Sequence, residues 1–261
     1  MSNNERIHPS AVVSGHAELA DDVRVGPYAV IGDGVRIGAG TEIGAHCVIK
    51  GRTTIGENNR FYPFASIGDD PQDKKYAGEE TGLEIGSGNT VREFCTINRG
   101  TAQDEGVTWL GDNNWLMAYS HIAHDCRVGN EIIMANGATL GGHAHIGDYA
   151  MLSAFSAVHQ FCRIGAHSFI GAYGGVGKDV PPYIVAFGQP PEPRGINSEG
   201  LRRRDFSMDQ IRNLKEAYRI LYRSDLRLEE AKVQISALAA AQPELAIMVE
   251  FLDKSERGIF R

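Results

Sequence analysis

An apolar side chain recurs at every sixth position over most of this chain from Ile7 to Val176, with a break between Ile67 and Ile85 and one change of phase after Ile97. An α-helix repeats every 3.6 residues and a strand every 2, so a period of six fits neither element. The period indicates a hexapeptide solenoid whose backbone turns once in each of 26 repeats. We call the apolar residue position i; it is Ile7, Val13, Leu19, Val25, Ile31, Ile37, Ile43, Ile49, Ile55, Phe61, Ile67, Ile85, Val91, Ile97, Leu110, Leu116, Ile122, Val128, Met134, Leu140, Ile146, Leu152, Val158, Ile164, Ile170 and Val176.

The other positions of the repeat predict how the coil is built. Glycine follows the apolar residue in 14 of the 26 repeats, which predicts a positive φ or an uncrowded backbone at a recurring corner. Position i+4 is mostly small, as at Ala29, Val35 and Thr41, so each repeat offers one large and one small inward side chain. If three repeats close one triangular coil, residues 18 apart lie above one another, about 4.8 Å apart like neighbouring parallel strands.

Composition limits the partners and the location of the protein. A net charge of -7 argues against nucleic acid as a partner, because phosphate binding needs a basic surface. The chain has no apolar run of about 20 residues that would span a bilayer, and its first residues lack a secretion signal, so we expect a cytoplasmic protein. All four cysteines fall at position i+4 and are predicted to be reduced core residues; they are Cys47, Cys95, Cys126 and Cys162.

Two segments interrupt the repeat, and a third region follows it. Residues 1–190 are predicted to form the solenoid, with loops near 69–81 and 101–106 that extend from the binding face. Prolines then end the repeat, and residues 191–261 are predicted to form a helical domain. Ser207 and Gln210 have the spacing of a capping box, and a later helix is predicted to open at Pro243. These helices are expected to cap the prism or to pack against another subunit.

Five histidines lie between residues 121 and 159, and none of them occupies an inward position of the repeat: His121, His124, His143, His145 and His159. Spacing by 18 aligns His124 with Gly142 and Gln160, and Asp125 with His143. The first column combines an imidazole with a backbone N–H that no side chain hinders. With Asp125 to orient the ring, these residues have the parts of a general base beside an oxyanion donor.

Two other interpretations of the histidines stay open. Three histidines are a common zinc-binding set, although the column of His124 continues with glycine and glutamine rather than with histidine. Solenoids also serve as noncatalytic scaffolds. A scaffold, however, has no need of outward histidines aligned with a glycine.

Six segments of the chain stand out as longer motifs: Gln72-Asp73-x-Lys75-Tyr76-Ala77-Gly78, Arg99-Gly100-Thr101, His121-Ile122-Ala123-His124-Asp125-Cys126, Gly142-His143, Val158-His159-Gln160-Phe161-Cys162 and Asn197-x-Glu199-Gly200-Leu201-x-Arg203-Arg204. These segments resemble the family of UDP-N-acetylglucosamine O-acyltransferases, which begin lipid A biosynthesis, and the resemblance covers essentially the whole chain. The resemblance implies a left-handed parallel β-helix, followed by a C-terminal α-helical bundle, in a homotrimer with active sites between subunits.

The same resemblance implies the reaction and the residues that perform it. A 3-hydroxyacyl chain would move from acyl carrier protein to the 3-hydroxyl of UDP-N-acetylglucosamine, with no metal, no dissociable cofactor and no acyl-enzyme. The resemblance makes His124 the base, supported by Asp125, with the Gly142 N–H at the oxyanion. The substrate-binding residues that it implies are Gln72, Asp73, Lys75, His121, His143 and His159 for the sugar region, and Gln160, Asn197, Glu199, Arg203 and Arg204 for the nucleotide.

Two positions qualify the resemblance. Asn98 stands where the family usually has histidine, and an amide carries no proton at neutral pH, so no acid–base role is expected there. Ala172 lies where the family gauges acyl length by side-chain bulk, and a methyl group predicts that medium to long chains fit. A related hexapeptide N-acyltransferase that acts on an amino or diamino sugar nucleotide stays the alternative.

Overall fold

The computed structural model describes residues 6–261, and short parallel strands in three sheets dominate it. Successive strands belong to successive sheets, so three repeats complete one coil of a parallel β-helix. The register pairs residues 18 apart, as in Val13 with Ile31 and Ile133 with Met151. The triangular coil predicted from the spacing is therefore confirmed.

We number the sheets in the order in which the chain enters them. Sheet I contains Val12–Val13, Val30–Ile31, Val48–Ile49, Ser66–Asp69, Thr96–Asn98, His121–Ile122, Thr139–Leu140, Ala157–Val158 and Gly175–Val176. Sheet II contains Glu18–Leu19, Val35–Ile37, Arg52–Ile55, Gly82–Ile85, Val107–Leu110, Arg127–Val128, His145–Ile146 and Arg163–Ile164. Sheet III contains Arg24–Val25, Glu42–Ile43, Arg60–Phe61, Thr90–Val91, Trp115–Leu116, Ile133–Met134, Met151–Leu152, Phe169–Ile170, Ile184–Phe187 and Glu192–Ile196.

Positions i and i+4 point into the prism as predicted. Ile31 and Val35 are 1% and 0% exposed, and all four cysteines are buried and free. Burial raises the pKa of the Cys47 thiol to about 11 and that of Cys126 to about 12, so neither is a thiolate at neutral pH. The cysteines therefore fill the core.

The corners differ from the prediction in one respect. Positive φ falls mainly at position i+3, as at Tyr28 (57°) and Asp125 (58°), whereas among the glycines of position i+1 only Gly68 (71°) has it. That glycine is needed for a different reason, because the next coil approaches it closely. A Cβ atom on Gly26 would lie 2.9 Å from the backbone nitrogen of Ala45. Of the two roles predicted for the glycine, the uncrowded backbone is confirmed, and the positive φ holds at Gly68 alone.

The two interruptions leave the prism at the same corner, between sheets I and II. The first follows strand Ser66–Asp69, and the second follows strand Thr96–Asn98. Buried Arg99 holds the first loop, because its guanidinium donates to the Tyr76 hydroxyl at 3.0 Å and pairs with Asp70. Both insertions therefore reach the corner that carries His124.

The C-terminal region is helical, with helices α1 (Ser198–Arg202), α2 (Met208–Tyr222), α3 (Leu228–Ala239) and α4 (Ala246–Lys254). The capping box of Ser207 and Gln210 forms at the start of α2, as predicted. The helix expected at Pro243 begins with a 3₁₀ turn, Pro243–Leu245, before α4. Strand Glu192–Ile196 extends sheet III past the predicted division at residue 190, which stays a prediction. Within residues 6–261, no helix has the length and apolar character to cross a bilayer.

Candidate active site

The corner between sheets I and II, which we call the I–II corner, carries the column predicted from the spacing. Strand His121–Ile122 ends there, and His124 and Asp125 occupy positions i+2 and i+3 of its turn. The left-handed backbone of Asp125 directs consecutive side chains to the same outer wall. His124 and Asp125 are therefore placed by the repeat itself.

The His124 ring lies directly against Gly142 of the next coil. A Cβ atom built on Gly142 would meet the Cε1 atom of His124 at 2.6 Å and its Nε2 atom at 2.7 Å. Any side chain at position 142 would therefore displace the imidazole. Within residues 6–261 the Gly142 N–H has no hydrogen-bond acceptor, although Gly142 is buried rather than exposed as the sequence suggested. The predicted proximity of imidazole and glycine is present.

Asp125 fixes the tautomer of His124. Its Oδ2 atom lies 2.8 Å from His124 Nδ1, and the carboxylate side chain is 1% exposed. Burial alone would raise the pKa of Asp125, but hydrogen bonds from His124 and Thr101 and the charge of His143 lower it below its ordinary value. Because the ionised carboxylate only accepts hydrogen bonds, Nδ1 of His124 carries the proton. The Nε2 lone pair is left to accept a proton.

His143 stacks in the neighbouring column and is held by the second insertion. Its ring packs on Phe161 with centroids 4.3 Å apart, and Asp104 lies 2.7 Å from its Nδ1 atom. Its Nε2 atom lies 3.8 Å from Asp125 Oδ2. Loop 101–106 thus covers the histidines, whose side chains are only 13% (His124) and 11% (His143) exposed. The contacts of Asp104 and Thr101 were not predicted from the sequence. The one-residue change of phase only marked the insertion that carries these two residues.

Of the three remaining predicted histidines, two lie along the same wall, and His145 lies on strand His145–Ile146 of sheet II. The His121 Nδ1 atom lies 2.7 Å from the Thr96 hydroxyl, and burial, followed by the charge of His124, lowers its pKa. His159 and Gln160 are exposed on the coil beyond Gly142. His159 also approaches Arg257 of the C-terminal segment, a neighbour that the repeat could not predict.

The first insertion carries the other predicted sugar-binding residues on its surface. Gln72 and Lys75 are exposed, and the Asp73 carboxylate accepts a hydrogen bond from the Lys75 backbone at 3.0 Å. Asn98 ties this loop to the prism by donating to the Asp70 carbonyl at 2.7 Å. The residue that replaces the family's histidine is therefore buried and holds the loop.

Four of the five predicted nucleotide-binding residues lie at a different corner, between sheets II and III, whereas Gln160 lies at the I–II corner. Asn197 caps helix α1 and donates to the His167 carbonyl at 2.9 Å. Glu199 pairs with Arg203 on the surface, and the Arg204 guanidinium lies over the Tyr149 ring, 4.8 Å from its centroid. We call this the II–III corner. The structure therefore does not bring these four residues to the His124 corner of the same chain.

Ala172 is exposed at the third corner, between sheets III and I. The outward face of sheet III beside it is apolar over five consecutive rungs. These rungs pair in register as Trp115, Ile133, Met151, Phe169 and Val185. Such a stripe offers an apolar surface that ends near the residue predicted to gauge acyl length.

Three ligand atoms at the I–II corner lie close enough to hold a metal ion. Those of His124, Asp125 and His143 are all within 4.8 Å of one another. The Asp125 oxygens already accept hydrogen bonds, however, because Thr101 donates to both of them and His124 donates to one of them. The arrangement orients an imidazole at least as well as it would hold an ion.

Comparison with known proteins identifies the family. A model described as the bacterial transferase hexapeptide matches residues 16–51 and 108–142, and one described as UDP-N-acetylglucosamine O-acyltransferase, domain 2, matches residues 179–260. The acyl-[acyl-carrier-protein]–UDP-N-acetylglucosamine O-acyltransferase of Thiobacillus denitrificans is 55% identical over 255 residues, which cover 98% of this chain and 99% of the relative. The chain belongs to this family of O-acyltransferases. It is an enzyme of the acyltransferase class.

Further relatives agree over nearly the full length. The protein of the same name from Halorhodospira halophila is 52% identical over 256 residues, covering 98% of this chain and 99% of the relative. The solved UDP-N-acetylglucosamine O-acyltransferase of Moraxella catarrhalis matches with a TM-score of 0.96 and 44% identity, covering 98% of this chain and all of that one. With the parallel sheets and the hexapeptide repeats, these matches fit a left-handed β-helix.

Proposed function

We propose that this enzyme transfers a 3-hydroxyacyl chain from acyl carrier protein to the 3-hydroxyl of UDP-N-acetylglucosamine, the first step of lipid A biosynthesis. The names of its relatives support the two substrates. The observation that carries the mechanism is the His124 ring, oriented by Asp125 at 2.8 Å and packed against Gly142.

His124 acts as the general base. Its Nε2 atom takes the proton of the sugar 3-hydroxyl while the oxygen attacks the thioester carbonyl. The carbonyl oxygen becomes an oxyanion, which accepts a hydrogen bond from the Gly142 N–H. Collapse of this intermediate forms the ester and breaks the C–S bond, and the departing thiolate of the carrier takes the proton back from His124.

No acyl-enzyme is needed, because the sugar oxygen attacks the donor directly. The four cysteines support this route, since all are buried in the prism. The route also uses neither a metal nor a dissociable cofactor. We expect full activity after dialysis against a chelator that removes bound zinc, and a loss of activity that zinc restores would instead favour a metal site at His124, Asp125 and His143.

The substrate-binding assignments follow the two corners. Near the base, Gln72, Asp73, Lys75, His121, His143 and His159 would hold the sugar and the region around its acyl acceptor. At the II–III corner, Asn197, Glu199, Arg203 and Arg204 would hold the nucleotide, together with Gln160 from the I–II corner. Arginine suits this role because its planar fork of donors matches phosphate oxygens.

The separation of these two sets on one chain supports a homotrimer. A sugar nucleotide that contacts both sets must lie between the I–II corner of one copy and the II–III corner of the next. Repeating this head-to-tail contact around a threefold axis closes a ring of three sites. The third corner then faces outward from the ring.

An acyl-transfer assay with UDP-N-acetylglucosamine and 3-hydroxyacyl carrier proteins of 10 and 14 carbons tests the proposal. We expect an ester product that hydroxylamine cleaves. It should form faster from the 14-carbon donor, because the methyl group of Ala172 leaves room for medium to long acyl chains. An amide product, formed only from an amino sugar nucleotide, would establish the N-acyltransferase alternative. Equal or faster use of the 10-carbon donor would refute the assignment of Ala172.

A further inference from the structure

The second insertion makes three separate polar contacts with the I–II corner. Thr101 contacts Asp125, Asp104 contacts His143, and Glu105 pairs with Arg127 of sheet II. Two of these three contacts end on the groups that surround the His124 imidazole. A loop that only joined two strands would have no need to place donors and acceptors on this corner.

Thr101 makes the most complete of these contacts. Its backbone nitrogen donates to Asp125 Oδ1 at 2.8 Å, and its hydroxyl donates to Asp125 Oδ2 at 2.7 Å. Thr101 is 1% exposed, so water does not compete for these bonds. Gly100 permits the approach, because a Cβ atom there would lie 2.8 Å from Asp125 Oδ1.

The contact continues to His124 through one shared oxygen. Asp125 Oδ2 accepts the Thr101 hydroxyl and also lies 2.8 Å from His124 Nδ1. The Asp125 backbone is fixed as well, since its nitrogen donates to the Thr108 hydroxyl at 2.8 Å. A carboxylate held at its backbone and at both oxygens cannot rotate away from the imidazole.

We propose that Thr101 is a positioning residue of the acyl transfer. It holds the Asp125 carboxylate in the one orientation that fixes the proton on His124 Nδ1 and aims Nε2 over Gly142. Thr101 itself touches no reacting atom. This inference rests on the proposed function, because it requires His124 to be the base.

The variant Thr101→Val tests the role with little change of shape, since it replaces the hydroxyl with a methyl group and keeps the backbone donor. A hydrogen bond to a charged group stabilises by roughly 1.5–3 kcal/mol, so we expect kcat to fall about 10- to 100-fold. The KM values for both substrates should stay within about 2-fold. Thr101→Ser, which restores the hydroxyl, should recover most of the rate.

A double variant separates positioning from a merely structural role. In the His124→Ala background, Thr101→Val should leave the residual rate unchanged within about 2-fold, because Thr101 acts through the imidazole that is already gone. An equal loss in both backgrounds would overturn the proposal. If His124→Ala keeps full activity, the base assignment fails instead, so the two failures are distinct.

Two further variants control for folding of the loop. Glu105→Gln removes the ion pair with Arg127 from the same loop and should leave kcat unchanged. Thermal melting should give similar midpoints for all variants; if Thr101→Val does not fold, Thr101→Ala serves in the same comparison. A Thr101 variant that is folded and has the wild-type kcat would overturn the proposal.

Discussion

His143 and His167 occupy the same position of the repeat at two different corners, and their surroundings make them different groups. Both are position i+3 residues with positive φ, and both stack on an aromatic ring of the next coil: His143 on Phe161 and His167 on Tyr183. At the I–II corner, carboxylates face the ring of His143. At the II–III corner, the charge of Arg204 acts on His167 more strongly than that of Asp148, and the His167 Nδ1 atom is buried with no partner within residues 6–261.

The difference shows that the same repeat position takes its electrostatic surroundings from the segments packed against it. Burial and then the charge of Arg204 lower the pKa of His167 to about 4, so the imidazole is neutral at pH 7. The neutral ring is stacked between Tyr149 and Tyr183. His143 instead bonds Asp104, which only the second insertion brings to the corner. The histidines of one repeat position therefore face carboxylates at one corner and form a neutral aromatic stack at the other.

Removal of His124 is the most severe way to test the role of the I–II corner. We expect His124→Ala to lower kcat by about 10²- to 10⁴-fold, the usual contribution of a general base. The melting temperature should change by only a few degrees, since Thr101 still holds both Asp125 oxygens. His16→Ala, on an exposed histidine far along the prism, is the control and should retain the wild-type rate. Full activity in the His124 variant would remove the proposed base.

Removal of the arginines tests the role of the II–III corner. We expect Arg203→Ala with Arg204→Ala to weaken binding of the uridine nucleotide by about 10- to 100-fold, the effect of losing hydrogen bonds to a charged group. The KM for the acyl donor should change less. Arg212→Ala is the matched control, because Arg212 pairs with Asp209 on the surface of α2. Unchanged nucleotide affinity by calorimetry would refute the phosphate role.

Acid should destabilise the II–III corner through His167. Its pKa is lower in the folded protein, about 4, than the ordinary 6.5, so its stabilising effect is full above pH 6.5 and is lost as pH falls toward 4. The variant His167→Phe keeps an aromatic ring that cannot be protonated. Its free energy of unfolding should therefore fall by up to about 3 kcal/mol less than that of the wild type between pH 7 and pH 4. Denaturant melts at pH 7 and pH 4 measure it. His46→Phe, at an exposed stack of the third corner, is the control, and an equal gain there would contradict the assignment.

The period of six was enough to predict the coil, its inward positions and the columns 18 residues apart. It placed the four cysteines in the core and brought His124 to Gly142, because stacking in a solenoid is set by spacing alone. The capping box at Ser207 was likewise a local signal that the structure confirms.

What the repeat could not predict lies where the chain leaves it. The clamp of Thr101 on Asp125 depends on the conformation of a segment with no period, and so does the hold of Asp104 on His143. The positive φ at position i+3 was missed because tyrosine, histidine and phenylalanine often stand there, although glycine and asparagine at Gly34, Gly40, Asn58 and Asn113 carry the signal for it. The antiparallel strand Glu192–Ile196 was hidden by its proline.

The central claim is that His124 of one copy works on a nucleotide held by the II–III corner of the next. The most direct measurement is the activity of enzyme from cells that co-express His124→Ala with the double variant Arg203→Ala and Arg204→Ala. The assay uses a UDP-N-acetylglucosamine concentration at which neither variant is active when it is expressed alone. Random assembly in a ring leaves roughly a quarter of the sites with both corners intact, so we expect about that fraction of wild-type activity. A mixture no more active than the separate variants would contradict the claim.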